Sequence, residues 1–302
     1  MKQKKSPCDP LASDTPDRNI SAILPVYNEE GAIEDTLRRL QRVLEGCTES
    51  YEILIVDDGS TDATGAILDA VSLPCCRVIH NPVNTGYGYS IKKGFRAARH
   101  PWILLIDGDG SYPAEAIPGI IAELPHSDMV VGARPGGGAG PSLGRRAGKW
   151  MIRALAHRLV RHPIPDLNSG LRVIRTDLMG KFFRMLPDGF SLTSTITLAL
   201  LMNAYRVAYV PIPYHPRVGV SKIRPIRDTV LFLHLIVRTV VHFDPLKFFL
   251  PLCLAEGAFA VTLTLYDIIR LNDITEKTVI LWVAFLLTGA IGVLADLIDR
   301  RG

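Results

Sequence analysis

Asp107, Gly108 and Asp109 are the residues of this chain best suited to chemistry. They follow the apolar run Trp102-Ile103-Leu104-Leu105-Ile106, so a strand would deliver two carboxylates, at i and i+2, to one edge of a sheet. There, hard oxygen ligands can hold a divalent cation against a diphosphate. Acidic pairs after strands are also common as solvated turns, and the neighbouring segments tip the balance. Residues 20–24 run into Pro25-Val26-Tyr27-Asn28-Glu29-Glu30, and residues 52–56 run into Asp57-Asp58-Gly59-Ser60-Thr61-Asp62. Three acidic turns behind three strands mark the ligand crevice at the carboxyl edge of an open parallel sheet.

The elements that must position these turns alternate regularly. Apolar spacing predicts strands over 20–24, 52–56, 77–80, 102–106 and 129–131, and helices over 32–44, 63–71, 90–98 and 113–124. Such alternation implies an α/β fold, a mostly parallel sheet with helices on both faces. The period breaks at Pro135-Gly136-Gly137-Gly138-Ala139-Gly140-Pro141, a loop that is either a linker or a lid over a substrate. Arg134 before it and Arg145, Arg146 and Lys149 after it flank it with cations and favour the lid.

The end of the chain has a different character. Residues 278–295 are eighteen in a row without a charge, roughly 27 Å of helix against a hydrocarbon core of about 30 Å. Residues 249–269 are equally apolar but carry Glu256 and Asp267. Two transmembrane helices, about 249–269 and 278–297, are therefore expected as a hairpin, with a buried helical pair of a soluble protein as the competing reading. Lys247, Arg300 and Arg301 place the hairpin's ends in the cytoplasm by the positive-inside tendency. Ahead of it, Arg227, His234, Arg238 and His242 share one helical face, which predicts either an interfacial amphipathic helix over 226–248 or a helix packed on the domain.

Composition fits a membrane-associated enzyme: 302 residues are 48% hydrophobic with a net charge of only +4. No basic run with interleaved aromatics is present, so nucleic-acid binding is not implied. The five cysteines form no Cys-x-x-Cys pair and leave one over, which suits reduced thiols better than a disulfide framework. Residues 1–19 are polar and lack an apolar h-region, reading as a disordered leader, with the catalytic domain over 20–225.

Six motifs in order resemble those of family 2, GT-A-type glycosyltransferases, most of all the dolichyl-phosphate mannose synthase group. They are residues 25–30, 56–62, Asp107-Gly108-Asp109, Val131-Gly132-Ala133-Arg134, Asn168-Ser169-Gly170-Leu171-Arg172 and residues 215–222 from His215 to Lys222. The resemblance implies a GT-A fold and inverting transfer of a hexose from a GDP-mannose or UDP-glucose type of donor to a polyprenyl phosphate, with Mg²⁺ or Mn²⁺. It implies that Pro25, Tyr27 and Glu29 line the base and ribose pocket and that Asp57 and Asp58 hold the nucleotide. The same resemblance implies that Asp109 is the firmest metal ligand, helped by Asp107. Arg134 and Arg145 match positions that bind the acceptor phosphate. Asp166, Ser169 and Arg172 lie in a turn whose family counterpart sits beside the acceptor, with no role evident for Asp166. Arg217 and Lys222 either close on the donor diphosphate or are juxtamembrane cations.

Two positions depart from the family pattern. Ser111 stands where an amide is usual, and Lys149 where the acceptor-site pattern has a serine. The partners implied are a nucleotide-sugar, a polyprenyl phosphate and a lipid bilayer, with the hairpin a candidate surface for homo-oligomers. Two other readings are less well supported. A processive polysaccharide synthase would carry Gln-x-x-Arg-Trp, but no tryptophan follows an arginine. An idle scaffold would be expected to lose the acidic turns, yet all are present.

Overall fold

The computed structural model describes residues 18–134, 164–189, 191–213, 241 and 245–299. They fall into two compact units, one built on a sheet and one a helical hairpin. Residues 1–17 of the leader expected over 1–19, the segment expected as a lid and most of the expected interfacial helix over 226–248 lie outside the described residues, while Asn19 already opens the first strand and so ends the leader one residue early.

In the first unit the predicted alternation is realised as β1 (Asn19–Val26), α1 (Ile33–Cys47), β2 (Ser50–Asp57), α2 (Thr64–Ala70), β3 (Cys76–His80), α3 (Tyr87–Ala97), β4 (Trp102–Leu105), α4 (Ile117–Ala122) and β5 (Met129–Ala133). Beyond the predicted elements come β6 (Arg172–Arg175), α5 (Thr176–Lys181), α6 (Leu192–Met202) and β7 (Val207–Pro211). The seven strands lie in the order β3-β2-β1-β4-β6-β5-β7. All neighbours run parallel except β6, which is antiparallel to both β4 and β5. The sheet is thus mostly parallel, with one reversed strand near its centre.

Burial explains the order. β1 is buried from Ile20 to Val26, as an apolar strand flanked on both sides must be. α1 turns Ile33, Thr36, Leu37, Leu40 and Leu44 inward at helical spacing and leaves the pairs Glu34–Arg38 and Asp35–Arg39 in water. A helix of fifteen residues is marginal alone. Leu37, Leu40 and Leu44, each at 0% exposure, hold it down at about 1.5–3 kcal/mol apiece.

The second unit is a hairpin of α7 (Pro245–Tyr266) and α8 (Glu276–Asp299), joined through a wide helical turn, Asp267–Leu271. Small residues let the helices approach: a Cβ at Gly257 would lie 2.9 Å from the Phe285 ring, and one at Gly292 2.8 Å from Phe249. Trp282 Nε1 donates to Thr264 Oγ1 at 3.0 Å. At the closed end Asp267 accepts from Thr275 N, Thr275 Oγ1 and Thr278 Oγ1, so this carboxylate caps the start of α8. The spans Phe248–Leu271 and Glu276–Ile298 are long and apolar enough to cross a membrane, and each is only 11% buried in its most apolar window. A soluble protein's core helices would be mostly buried. An exposed apolar surface on this scale suits lipid and associates the chain with a membrane.

Candidate active site

Strand direction gathers the predicted residues. β1, β2, β4 and β5 run the same way, so the turns after them share one edge, and the reversed β6 brings the residues preceding it to that same edge. Continuing the register Leu105↔Arg172 sets Asp107 opposite Gly170. A Cβ on Gly170 would collide with the Asp107 carboxylate, so only glycine allows this approach.

The first two acidic turns are laced together. Asn28, in the left-handed region at φ 55°, accepts from Thr61 N on Oδ1 at 2.8 Å and donates its own N–H to Ser60 Oγ at 3.0 Å. Glu29 N donates to Thr64 Oγ1, and Glu30 Oε2 accepts from Ala63 N. Pro25 and Glu29 are buried and Tyr27 is half-buried.

Asp57 and Asp58 part company. Asp57 Oδ1 accepts from Ser60 N at 3.0 Å and Oδ2 meets His80 Nδ1 at 2.8 Å. Asp58 accepts from Asn81 Nδ2, Thr85 N and Thr85 Oγ1 on Oδ1 and from Gly86 N on Oδ2. Burial opposes its charge, but these four bonds outweigh burial and hold its pKa below the ordinary carboxylate value. Asp58, expected to hold a nucleotide, is thus a carboxylate that organises the turn into α3.

At the end of β4, Asp107 Oδ1 accepts from Tyr87 Oη at 2.9 Å. Asp109, 7% exposed, accepts on Oδ1 from Ser111 N at 3.0 Å and Ser111 Oγ at 2.6 Å. Ser111, the departure from the family pattern, thus orients the metal-ligand candidate directly. Gly108 lets the turn close on the end of β1 and the start of α1, since a Cβ there would lie 2.9 Å from Val26 Cγ2 and 3.3 Å from Ile33 Cδ1. Two fixed carboxylates are the hard donor set that Mg²⁺ or Mn²⁺ takes, and a site with so few protein ligands relies on substrate phosphates for the rest. Among the described residues no cluster of three or more His, Cys, Asp or Glu supplements the pair.

Across the crevice Arg134 and Asp166 form a forked ion pair, Nε to Oδ2 at 2.6 Å and Nη2 to Oδ1 at 3.0 Å, with Arg134 N also on Oδ2. Their side chains are 13% and 2% exposed. Burial alone would raise the Asp166 pKa, but the Arg134 guanidinium keeps it below the usual range. Asp166, for which the sequence offered no role, fixes the arginine beside the loop. The Arg134 guanidinium also lies 6.0 Å from the Tyr112 ring centre, and Tyr112 Oη accepts from Gly170 N at 2.7 Å.

Ser169 and Arg172, expected at the acceptor, are both at 0% exposure. Arg172 donates to Ser169 O, Thr193 O and Thr197 Oγ1, tying the turn before β6 to α6. In this structure Arg172 therefore supports the crevice floor and does not reach its surface. Arg145, Lys149, Arg217 and Lys222 lie outside the described residues. Tyr87 and His80 were missed by sequence reasoning. Tyr87 opens a helix expected to start at Ser90, and His80 looks like any strand-end histidine.

The model of Glycosyl transferase family 2 matches residues 21–183, a range that includes every acidic turn and the Arg134–Asp166 pair. The chain belongs to glycosyl transferase family 2. It is therefore a glycosyltransferase, as the motifs led one to expect. The dolichyl-phosphate hexose transferase of Haloferax volcanii is 30% identical over 68% of this chain and 87% of that protein. The dodecaprenyl-phosphate galacturonate synthase of Rhizobium johnstonii is 27% identical over 93% of this chain and 88% of its own length. Among solved structures, glucosyl-3-phosphoglycerate synthase from Mycobacterium tuberculosis with Mn²⁺, uridine diphosphate and phosphoglyceric acid superposes with a TM-score of 0.57 at 20% identity. That match covers 76% of this chain and 79% of that one, and at such identity it speaks for the GT-A fold.

Proposed function

We propose that this glycosyltransferase moves a hexose from a nucleotide-sugar to the phosphate of a polyprenyl phosphate, inverting the anomeric carbon. The observation that carries the proposal is the Asp107–Asp109 turn, fixed by Tyr87 and Ser111 at the sheet edge that also holds Asp57 and the Arg134–Asp166 pair. Relatives named for polyprenyl-phosphate sugar transfer and an exposed apolar hairpin support a lipid acceptor.

On this reading Pro25, Tyr27, Glu29 and Asp57 hold the nucleoside, and Asp107 and Asp109 would hold Mg²⁺ or Mn²⁺ against the diphosphate. The bound cation would offset the charge that develops on the leaving group. An acceptor phosphate, with second pKa about 6, is already mostly a dianion near neutral pH. It needs alignment, not a general base. Its oxygen attacks the anomeric carbon, the bond to the diphosphate breaks, and the nucleoside diphosphate leaves with the electron pair. Arg134, held in place by Asp166, and Arg145 are assigned to the acceptor phosphate. Arg217 and Lys222 are assigned to the donor diphosphate. The hairpin spans the bilayer twice with the catalytic unit on the cytoplasmic side.

The deciding experiment incubates membranes containing the chain with undecaprenyl or dolichyl phosphate, Mg²⁺ or Mn²⁺, and a panel of labelled GDP- and UDP-sugars. Metal-dependent label in the lipid phase from one donor, lost in Asp109→Ala, is the expected result. No lipid label from any donor, with the protein folded, overturns the lipid acceptor.

A further inference from the structure

We propose that His80 is a positioning residue for nucleotide recognition, holding the Asp57 carboxylate in the orientation that reads the donor's base. The inference rests on the reading of Asp57 as a nucleoside contact and goes beyond it, since His80 belongs to none of the motifs that define the site.

The geometry is a relay across three elements. His80 closes β3 opposite Asp57, the last residue of β2, in the register Asp57↔His80. Its Nδ1 lies 2.8 Å from Asp57 Oδ2, and its Nε2 lies 3.1 Å from Asp69 Oδ1 on α2. Ser60 N holds the other Asp57 oxygen. Asp57 is 4% exposed, so its carboxylate has little freedom beyond what these partners set. From α3, Lys93 directs its ammonium to the His80 carbonyl and Asn81 Oδ1, not to the imidazole.

The two carboxylates decide the protonation state. A neutral imidazole has one N–H, so between two carboxylates one contact would set lone pair against lone pair. Only the imidazolium donates to both. In agreement, the His80 pKa lies above the ordinary 6.5, raised first by Asp57, opposed by burial and raised again by Asp69. Both hydrogen bonds are complete below pH 6.5, and one is lost as pH rises through the raised pKa. Asp57 then loses either its donor or the tautomer that Asp69 enforces.

The experiment is calorimetric binding of uridine and guanosine diphosphate, with Mg²⁺, to the full chain in detergent between pH 6 and 8.5. Wild type should bind its preferred nucleotide more weakly as pH rises. His80→Leu should bind it roughly tenfold more weakly at pH 6, about the effect of losing a hydrogen bond to a charged group, and lose the pH dependence. His80→Asn retains an N–H donor toward Asp57 without a titrating ring, so it should keep most of the affinity with a flat profile. Asp69→Asn should move the wild-type inflection to lower pH. In transfer assays the loss should fall on the donor KM and spare kcat. His80→Leu that is folded, binds within twofold of wild type and keeps its pH profile overturns the proposal. Asp57→Asn separates the two levels. If it weakens binding while the His80 series does not, only the positioning role fails. If it too has no effect, the reading of Asp57 fails first.

Discussion

Replacing Asp166 by alanine should destabilise the catalytic unit far more than a loop substitution normally does. The side chain is 2% exposed and its only role visible among the described residues is to hold Arg134 and the turn that follows: it accepts two bonds from the guanidinium, one from Arg134 N and one from Asn168 N. Removing the acid leaves a largely buried guanidinium uncompensated. Breaking a buried pair from one side costs about 3–5 kcal/mol. The lower end applies here, because Arg134 is 13% exposed and admits some water. About 3 kcal/mol corresponds to a fall in Tm of roughly 6–12 °C for a domain of this size. The assay is thermal unfolding of the full chain in detergent, followed by the fluorescence of Trp102, which is buried in β4. Because Arg134 holds the Asp166 pKa down, the pair's contribution is present above pH 3.8 and is lost as pH falls through the lowered value. The gap between wild type and variant should therefore be constant from pH 8 to pH 5 and close below 3.8. Arg134→Met in the same chain should recover more than half of the loss by removing the stranded charge. A variant melting within about 2 °C of wild type, or a double variant no more stable than Asp166→Ala, would refute the reasoning.

Two further substitutions probe the Asp107–Asp109 turn. Tyr87→Phe deletes the hydroxyl that donates to Asp107 Oδ1 while keeping the ring. Groups behind metal ligands typically contribute 10- to 100-fold in affinity, so Mn²⁺ affinity in the presence of nucleoside diphosphate, read from free Mn²⁺ by paramagnetic resonance, should fall by about that factor; an unchanged titration would remove Tyr87 from the site. Gly170→Ala would drive a methyl into the Asp107 carboxylate, with its Oδ1 only 2.8 Å from the new carbon. Displacing a reacting group by an ångström can cost about 100-fold, so sugar transfer should fall by that order with the circular dichroism spectrum preserved, and retained activity would show that the β6 turn has room to yield.

The first half of the chain was legible because strands and helices alternate at clear apolar spacing and three of the strands, β1, β2 and β4, end in acidic turns, so the pattern marks both the elements and the edge. β6 and α6 carry no such signal. β6 is four residues long with an arginine at each end, and no periodicity rule expects the first of them to be fully buried. α6 is buried from Leu192 to Leu201 on all sides, so it lacks the polar face by which a surface helix is recognised. Two of its threonine hydroxyls turn back to carbonyls four residues earlier, Thr195 to Ser191 and Thr197 to Thr193, and Ser194 donates to Asn168 Oδ1. Arg172 and α6 explain one another, since the guanidinium needs the acceptors at Thr193 and Thr197. That relation links residues more than twenty apart and exists only in the fold.

The same distinction separates the carboxylates of the site. Asp57 and Asp58 are neighbours at the end of a strand, and successive side chains on a strand point to opposite faces, so one nucleotide cannot engage both in the same way. The fold resolves the conflict by saturating Asp58 with Asn81, Thr85 and Gly86, which sets the turn that starts α3 and so places Tyr87 against Asp107. Asp107 and Asp109 are two apart, and two residues apart is the spacing at which both can face a single cation. On the proposed reading, then, Asp57 faces the ligand while Asp58 builds the scaffold, and Asp107 and Asp109 both face the cation. Substituting Asp58 should consequently impair metal binding through α3 and Tyr87, a loss that the same Mn²⁺ titration would read.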